Sequence, residues 1–455
     1  MAIKDRVPVD PRREAEFDGA FGLLSRLVDL TEADRRFPLA GQAVYTTRVV
    51  LWMLIYQRMS PDPSLEAAVK KLIRSHDTLL PNNKRVRDRT LSHNTGAYGR
   101  ARSRLPRDSA EWLCDEVSQS LIEASPPSWR GRRVFMIDGT TITLEPTAPL
   151  RRAFPPASNQ HGTGVWPVAL LVLAHELASG AALKPQVGAM YGPQAVSETA
   201  LVRGCFEQMP PESIVLADSG YGIFAVAFTA RQAERQFVLR LTQLRFAALR
   251  RQATVSARGQ MWTTYQHEWR PSAKERLSHP DLPDEAAVDV WLHEIHVSSS
   301  LTLQLVTDVP DSAPALAELY RQRTDIEVDI RNFKVVLGAE NLRARGVEMF
   351  YKELLTSLVA YNLVIQFRRQ AAQLIEQPPR RLSFKRTWTT FRLYLLSQSD
   401  TDPIRWRDRF RTALGYATQD KLPNRPGRSY PREAYRRRPK STQFQKRIPK
   451  TPPEP

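Results

Sequence analysis

The sequence is poor in cysteine and lacks long apolar runs. Its 455 residues include only two cysteines, Cys114 and Cys205, so neither a disulfide framework nor a thiolate zinc site can be built. The longest uncharged apolar run, Val165 to Ala174, is about half the roughly 20 residues that a membrane-spanning helix needs. The charged residues up to Glu16 leave no apolar segment of the kind that a secretion signal carries. We therefore expect a cytoplasmic protein with no membrane partner.

Acidic residues are also in deficit, because 48 Asp and Glu accompany 66 Lys and Arg, which gives a formal net charge of +18. Half of this excess lies in 421–455, where eleven basic and two acidic residues are interspersed with eight prolines. A second basic cluster extends from Lys84 to Arg107 and contains one acidic residue, Asp88. Basic clusters are often solvated faces or solubilising tails. Two of them on a chain of this charge favour contact with the phosphates of a nucleic acid.

The periodicity of the apolar residues predicts a helical N-terminal segment followed by a mixed core. After Pro126-Pro127, three antiparallel strands precede alternating helices and strands, which is the order of a ribonuclease-H-like core. We predict an α/β fold with such a core, a β-rich insertion, an all-helical N-terminal domain and a helical and basic C-terminal region. The predicted limits are 1–127 for the N-terminal domain, 128–242 and 313–376 for the two parts of the core, 243–312 for the insertion, 377–420 for the C-terminal helices and 421–455 for a basic, proline-rich tail.

Two aspartates occur at the predicted ends of strands in the core. Asp138 follows the extended run that begins at Val134, and it precedes Gly139. Asp218 ends a later run and precedes Ser219 and a glycine. Sheets of this class present ligand-binding groups at the ends of their strands. An aspartate before a glycine is also an ordinary turn signal, so the pattern alone leaves both interpretations open.

A predicted helix from 313 to 337 carries a third carboxylate. By the 100° step of an α-helix, four polar residues project within about 60° of one another, namely Tyr320, Arg323, Glu327 and Lys334. A neighbouring apolar face can pack on a sheet; it consists of Leu319, Ile326, Ile330, Phe333 and Leu337. The same spacing also fits a surface helix in which Arg323 and Glu327 form an i,i+4 ion pair.

These residues resemble the DDE transposases of bacterial insertion elements, specifically the insertion sequence 4 type. The spacing Tyr320-x2-Arg323-x3-Glu327-x6-Lys334 is similar to that family's YREK signature at every position. The signature follows the two aspartates in the family's order. The basic stretch 97–105 also resembles the arginine-rich helix that closes the family's N-terminal DNA-binding domain, through Arg100, Arg102 and Arg104.

The resemblance implies an enzyme that cuts transposon ends and joins their 3′-hydroxyls to target DNA, in a cut-and-paste reaction. Asp138, Asp218 and Glu327 would then be the catalytic triad and the ligands of two Mg²⁺ ions, which Mn²⁺ can replace. Carboxylates suit this role because Mg²⁺ prefers oxygen ligands and two ions assist in-line phosphoryl transfer. The other signature residues would contact the DNA backbone near the cut: Tyr320, Arg323 and Lys334. The implied partners are terminal inverted repeats, target DNA and a second copy of the chain, as a homodimer in the synaptic complex.

The resemblance further implies that the insertion holds a hairpinned DNA end, on which a tryptophan stacks against a flipped base. The tryptophans of the insertion are Trp262, Trp269 and Trp291, and ordinary packing is the alternative for each. Members of the family often carry a basic residue after the second aspartate, where this chain has Ser219. His293 and His296 lack the HExxH spacing and a further ligand nearby, which favours a surface strand over a zinc site.

Two other functions fit the same residues. A catalytically silent descendant of such an enzyme would bind DNA as a regulator without cutting it, although the presence of all three acidic residues argues against this. A nuclease built on the same ribonuclease-H-like core would cut DNA without joining it. A strand-transfer assay distinguishes the nuclease from the transposase.

Overall fold

The computed structural model describes residues 19–39, 41, 44–75, 79–160, 162–299, 301–396 and 403–423. The chain divides into two compact units, Met1–Lys421 and Leu422–Pro455. Within the second unit the structure describes only residues 422 and 423, so the predicted basic tail at 421–455 lies almost wholly outside the described residues. No described helix is long and apolar enough to cross a membrane.

The described residues before the first strand are helical. They form α1 (Gly19–Leu27), α2 (Thr31–Arg36), α3 (Thr47–Met59), α4 (Leu65–Ser75), α5 (Lys84–Arg87), α6 (Gly96–Arg104) and α7 (Arg107–Glu123). In α7, Leu113, Val117 and Leu121 recur at intervals of four and are fully buried. This spacing places them on one stripe of the helix, which packs against the interior.

Eleven strands follow in the described part of the chain, and nine of them form one mixed sheet. The strands are β1 (Val134–Thr143), β2 (Ser158–Asn159), β3 (Gly162–Thr163), β4 (Val168–Glu176), β5 (Gln186–Ala189), β6 (Ile214–Ala217), β7 (Gln236–Arg240), β8 (Thr254–Arg258), β9 (Trp262–Trp269), β10 (Val288–Ser298) and β11 (Leu301–Thr307). The order in the large sheet is β5-β4-β1-β6-β7-β11-β10-β9-β8. Strand β1 is antiparallel to β4 and parallel to β6, and β7 is parallel to β6.

The helices that follow β1 lie between these strands or after them. They are α8 (Ala148–Ala153), α9 (Glu198–Gln208), α10 (Phe224–Gln232), α11 (Gln243–Arg250), α12 (Ala273–Ser278), α13 (Ala313–Arg321), α14 (Asp325–Arg331), α15 (Val347–Gln373), α16 (Phe384–Leu396) and α17 (Pro403–Ala417). The predicted mixed α/β class is therefore confirmed.

The position of Asp138 within its strand differs from the prediction. The strand was expected to end at this aspartate, but β1 continues to Thr143 and pairs with β4 over its whole second half, as far as Thr143 opposite Val168. The alternating residues from 140 to 143 retain strand geometry because β4 is present beside them. The Asp-Gly pair is thus part of a strand and not a turn.

Strands of the predicted insertion extend the large sheet. Strand β11 pairs antiparallel with β7, and β10, β9 and β8 follow outward from it. The long separation in sequence between Asp218 and Glu327 is therefore occupied by strands that continue the same sheet.

Each face of the large sheet has its own hydrophobic core. Alternate residues of β1 point to opposite faces, so Val134 and Met136 belong to one core and Phe135 and Ile137 to the other. The first core also contains residues of α3, α7 and α15, whereas the second contains residues of α9, α10, β9 and β10. The helices before β1 consequently share a core with the sheet and with α15.

The predicted continuous helix from 313 to 337 is interrupted twice, so that prediction was wrong in detail. A 3₁₀ turn, Gln322–Thr324, separates α13 from α14, and a π-helical turn, Asn332–Val336, follows α14. Such irregular turns within helices are frequent at functional sites. Here they contain Arg323 and Lys334, two residues of the signature-like spacing.

Candidate active site

Three acidic side chains from distant parts of the chain converge on one arginine. The Arg323 Nη2 atom lies 3.2 Å from Asp138 Oδ2 and 3.4 Å from Asp218 Oδ2. Its Nη1 atom lies 3.2 Å from Glu327 Oε1. The structure thus brings together Asp138 of β1, Asp218 directly after β6, and Glu327 of α14, the three acids that the sequence singled out. The i,i+4 pair between Arg323 and Glu327 is present, but it is one part of a larger cluster.

The cluster is partly enclosed by protein. The side chain of Asp138 is 20% exposed, and those of Asp218 and Glu327 are 40% and 46% exposed. Burial raises the pKa of Asp138 to about 6, because the charged form loses solvation, and the nearby Arg323 charge opposes this shift only in part. The arrangement is therefore a half-open acidic site whose most buried carboxylate, that of Asp138, lies on β1.

Backbone amides orient both aspartates. The Gly139 N–H donates to Asp138 Oδ1 at 2.9 Å, and the Gly220 N–H donates to Asp218 Oδ1 at 2.8 Å. In each case the Oδ1 atom is held by a following glycine, whereas the Oδ2 atom contacts Arg323. Both carboxylates therefore have a defined orientation toward the same point.

The remaining signature residues connect the interrupted helix to the sheet. The Tyr320 hydroxyl donates to the carbonyl of Ala217, directly before Asp218, at 3.2 Å. Lys334 Nζ donates to Thr140 Oγ1 at 3.0 Å and to the Thr141 carbonyl at 2.7 Å, on the strand that carries Asp138. Burial raises the pKa of Tyr320 to about 12 and lowers the pKa of Lys334. Both side chains thus fix the helical segment against the two aspartate-bearing strands.

A buried ion pair secures the helix α14, which carries Glu327. Asp329, two residues further along, is almost fully buried and accepts from Arg380 Nη2 at 2.8 Å and from Nη1 at 3.2 Å. Arg380 also donates to the carbonyls of Glu176 and Leu177 at the end of β4. One arginine from the C-terminal part of the chain therefore joins α14 to the sheet.

The donor set of the cluster fits divalent cations in chemistry. Carboxylate oxygens are the ligands that Mg²⁺ and Mn²⁺ prefer, and here they already surround a positive group. Among the described residues, no group of three or more His, Cys, Asp or Glu side chains could hold a single ion as it stands. The cluster therefore suits divalent cations through the chemistry of its carboxylate oxygens.

Two residues beside the cluster were missed by sequence reasoning. Glu198, the first residue of α9, accepts a hydrogen bond from the Tyr221 hydroxyl at 2.9 Å and lies against Gly139. Arg245 donates to the carbonyl of Ser219 at 2.8 Å, so a guanidinium lies beside the position where the family often has a basic residue. A lone glutamate at the start of a helix has no distinguishing spacing, and Arg245 follows Ser219 by 26 residues, so no local pattern indicated either one.

The predicted DNA-binding arginines of α6 differ in their surroundings. Arg100 and Arg104 are exposed, as are Arg85 and Arg87 on α5. Arg102 is instead largely buried and forms a 2.8 Å ion pair with Glu353 of α15. The exposed arginines present positive charge to solvent, whereas Arg102 joins α6 to α15.

The predicted base-stacking tryptophans also differ. Trp269 is 3% exposed and packs edge-on against Phe224, so it is a core residue whose ring has no free face. Trp262 and Trp291 are half-buried, and the indole of Trp262 lies over Gly259. Outside the predicted insertion, Trp166 is 52% exposed.

The two histidines of β10 do not form a metal site among the described residues. The side chain of His293 is buried, and its Nδ1 atom lies 2.9 Å from Thr264 Oγ1. His296 is exposed, and its Nδ1 atom lies 3.1 Å from Thr302 Oγ1. Both histidines lie on β10, as predicted, but the expected surface position holds only for His296, because His293 is buried.

Comparison with known proteins assigns the family of the chain. Residues 129–363, about half of the chain, match the family model described as the transposase DDE domain. The chain therefore belongs to the DDE transposase family, whose domains use divalent metal ions. The matched region contains all three clustered acids and the interrupted helix between 313 and 336.

Similarity beyond the family model is distant. No curated protein matches the chain. Among solved structures, the chain is similar to the piggyBac transposase in a synaptic complex with hairpin DNA, with 10% sequence identity over 92% of this chain and 87% of that chain and a TM-score of 0.39.

Proposed function

We propose that this DDE transposase is of the insertion sequence 4 type, with Asp138, Asp218 and Glu327 as its catalytic triad. The observation that carries the proposal is the contact of all three acids with Arg323, although one lies on β1, one directly after β6 and one on α14. Bringing three carboxylates close together costs electrostatic free energy because like charges repel. Residues with a purely structural role would not need to be placed this way. The spacing of Tyr320, Arg323, Glu327 and Lys334 supports the assignment to the YREK type.

The strand order supports a ribonuclease-H-like core within the large sheet. Three antiparallel strands, β1, β4 and β5, are joined by β6 and β7, which run parallel to β1. In this core Asp138 lies on the central strand and Asp218 directly follows the neighbouring strand. The strands β8 to β11 would then be the β-rich insertion, at the edge beyond β7.

The proposed cofactor is a pair of Mg²⁺ ions, which Mn²⁺ can replace. Asp138, Asp218 and Glu327 would hold these ions through their carboxylate oxygens. Bound ions would activate the attacking oxygen and stabilise the leaving oxygen of the phosphodiester. Arg323 must then move away from the carboxylates, and a DNA phosphate near the cut is the natural new partner for its guanidinium.

The other proposed contacts follow from exposure and charge. Lys334 would bind a phosphate beside the cut. Tyr320, which the signature predicts to contact the DNA backbone, is buried and would instead hold the strand end that precedes Asp218, through its hydrogen bond to the Ala217 carbonyl. Arg245 would supply the basic group that is missing at Ser219. Exposed arginines of α5 and α6, including Arg100 and Arg104, would bind the DNA of the transposon end. Among the tryptophans, the half-buried Trp262 and Trp291 are the proposed stacking residues of the insertion.

The proposed reaction is cut-and-paste transposition in a homodimeric synaptic complex. Water would first release a 3′-hydroxyl at each end of the element, and that hydroxyl would then attack target DNA. Pairing of two ends requires two copies of the site, which is why we propose a dimer. The terminal inverted repeats and the target DNA are the proposed substrates.

An assay of cleavage and joining tests this function. Purified protein, a DNA duplex carrying the terminal inverted repeat that flanks the gene, and Mn²⁺ or Mg²⁺ should give nicked and joined products. We expect Asp138→Asn, Asp218→Asn and Glu327→Gln each to reduce cleavage by at least about a thousandfold, because each replaces a charged carboxylate of the metal site by a neutral amide. Full cleavage by the triple amide variant would contradict the proposal.

The same assay separates the alternatives. Specific binding of the inverted repeat without nicking in Mn²⁺ would indicate a DNA-binding regulator. Cleavage without strand transfer to a target plasmid would indicate a nuclease on the same core.

A further inference from the structure

A fourth carboxylate lies between the segments that carry the two aspartates. A Cβ atom placed on Gly139 would be 2.0 Å from Glu198 Cδ and 2.2 and 2.4 Å from its two oxygens. The Glu198 carboxylate therefore occupies the space that a side chain at 139 would need. On its other side, Glu198 Oε2 accepts the 2.9 Å hydrogen bond from the Tyr221 hydroxyl.

Both contacts are directly connected to the proposed metal ligands. Gly139 follows Asp138 and its N–H orients that carboxylate. Tyr221 is three residues after Asp218, its ring is 1% exposed, and its N–H donates to the Asp218 carbonyl at 3.2 Å. Glu198 therefore contacts Gly139, which is next to Asp138. It also contacts the buried side chain of Tyr221, which ends the turn that begins at Asp218.

The backbone of Glu198 is held in a fixed place. It is the first residue of α9, whose N-cap Ser197 accepts from the Ala200 N–H at 3.2 Å. A negative side chain in the first turn is also favoured by the helix dipole. Helix α9 packs on β4, the neighbour of the strand that carries Asp138. These constraints fix the point from which the glutamate side chain extends toward Gly139 and Tyr221.

The identity of Gly139 is explained by this contact. Its φ is not in the left-handed region that favours glycine, because the glycines with positive φ lie elsewhere among the described residues. The three heavy atoms nearest to a Cβ placed there all belong to Glu198. The glycine after Asp138 is thus required by space for the glutamate and not by a turn.

We propose that Glu198 is a positioning residue that sets the spacing between Asp138 and Asp218, by filling the space over Gly139 and by accepting the Tyr221 hydrogen bond. This inference rests on the proposed function, in which the two aspartates are metal ligands. Residues that support metal ligands in this way typically contribute 10- to 100-fold to metal affinity or activity.

The first experiment compares Glu198→Ala with Glu198→Gln. We expect Glu198→Ala to weaken Mn²⁺ binding, measured by calorimetry without DNA, by at least about tenfold, and to slow cleavage to a similar extent. Glu198→Gln retains the shape and an oxygen that accepts from Tyr221, so it should keep Mn²⁺ affinity within about threefold of wild type. Glu207→Ala, an exposed glutamate on the same helix, is the matched control and should behave as wild type.

Hydrogen exchange provides a readout that needs neither metal nor DNA. In Glu198→Ala we expect faster exchange of the amides of Gly139, Gly220 and Tyr221, with unchanged exchange in α7. Tyr221→Phe removes the hydroxyl and keeps the buried ring, so it should show the same local effect if Glu198→Ala does not fold. Tyr416→Phe, at a 67% exposed tyrosine, is its control.

A double-mutant cycle tests the steric part of the proposal. Gly139→Ala should displace the glutamate and weaken Mn²⁺ binding as much as Glu198→Ala does. In the Glu198→Ala background the added methyl has space, so Gly139→Ala should cause no further loss. Additive losses would contradict the contact.

Two results would overturn the positioning role. One is wild-type Mn²⁺ affinity and wild-type exchange in Glu198→Ala. The other is a loss in Glu198→Gln as large as that in Glu198→Ala, which would mean that the charge and not the contact is needed. A wild-type protein that binds no Mn²⁺ and cuts no DNA would contradict the proposed function instead, and the exchange data would still decide the positioning role.

Discussion

At the scale of single residues, Arg323 determines how the acidic cluster is neutralised. Its guanidinium contacts Asp138, Asp218 and Glu327, and its Nε atom is buried without a hydrogen-bond partner among the described residues. The arginine is therefore held mainly by the three carboxylates. A divalent ion bound by these oxygens would compete with the guanidinium for the same negative charge.

We predict that Arg323→Gln strengthens Mn²⁺ binding by the DNA-free protein by at least about tenfold, because a unit charge within about 4 Å contributes several kcal/mol at a partly buried site. The same variant should cut DNA more slowly, since the proposed phosphate contact is lost. Calorimetric titration with Mn²⁺ measures the first effect. Arg321→Gln, at an exposed arginine paired with Glu318, should leave the affinity unchanged. Weaker Mn²⁺ binding in Arg323→Gln would contradict competition.

His293 is a second residue with a testable consequence. Burial lowers its pKa to about 4, so the folded protein holds the imidazole neutral while the unfolded chain protonates it near pH 6.5. The unfolded state then binds more protons between these values, and the contribution of His293 to stability is lost as the pH falls from 6.5 toward 4.

We predict that the difference in free energy of unfolding between wild type and His293→Asn decreases as the pH is lowered from 6.5 to about 4. Urea unfolding at several pH values measures this difference. His296→Asn, at the exposed histidine on the same strand, should not reproduce the trend. A difference that is constant with pH would show that the folded protein accommodates a charged His293.

At the scale of elements, helix α14 depends on the ion pair between Asp329 and Arg380. Asp329 is 1% exposed and lies on the helix that carries Glu327. Removing one partner of a buried ion pair leaves the other charge uncompensated and typically costs 3–5 kcal/mol. The position of Glu327 relative to the sheet should therefore depend on a residue 53 positions later in the chain.

We predict that Arg380→Met lowers the free energy of unfolding by about 3 kcal/mol, and that adding Asp329→Asn restores part of the loss. Denaturant unfolding of the single and double variants measures this. Arg381→Met, at the exposed neighbouring arginine, is the control. Equal stability of the Arg380 and Arg381 variants would show that the buried aspartate does not need its partner.

The elements also show how far the sequence could predict this fold. The alternating helices and strands predicted after the three antiparallel strands are present as α9, β6, α10 and β7. The spacing of apolar residues reports burial along a single helix or strand, so it was sufficient to predict these elements. The 3₁₀ and π turns around Arg323 and Lys334 depend on contacts with β1 and on the cluster of acids, which are distant in sequence. For the same reason the spacing identified the three acids but gave no indication of Glu198 or Arg245.

At the scale of the whole first unit, the N-terminal helices are part of the main core. Residues of α1, α3 and α7 share one hydrophobic core with the sheet and α15. The buried Lys352 of α15 donates to the carbonyls of Arg102, Ser103 and Leu105 at the end of α6. Arg58 of α3 donates to the Gly338 carbonyl, just after the π turn, at 2.8 Å. The predicted boundary at 127 is thus crossed by apolar packing and by polar contacts.

We predict that a chain lacking residues 1–127 does not fold, because removal of these helices exposes the apolar surface of α15 to water. The complete protein should correspondingly show one calorimetric transition for this unit, with equal calorimetric and van't Hoff enthalpies. A separate, earlier transition for the N-terminal helices, or a soluble and cooperatively folded 128–455 fragment, would show that they form an independent domain. The outcome bears on function, since helices that share a core with the sheet would hold the exposed arginines of α6 in a fixed position relative to Asp138.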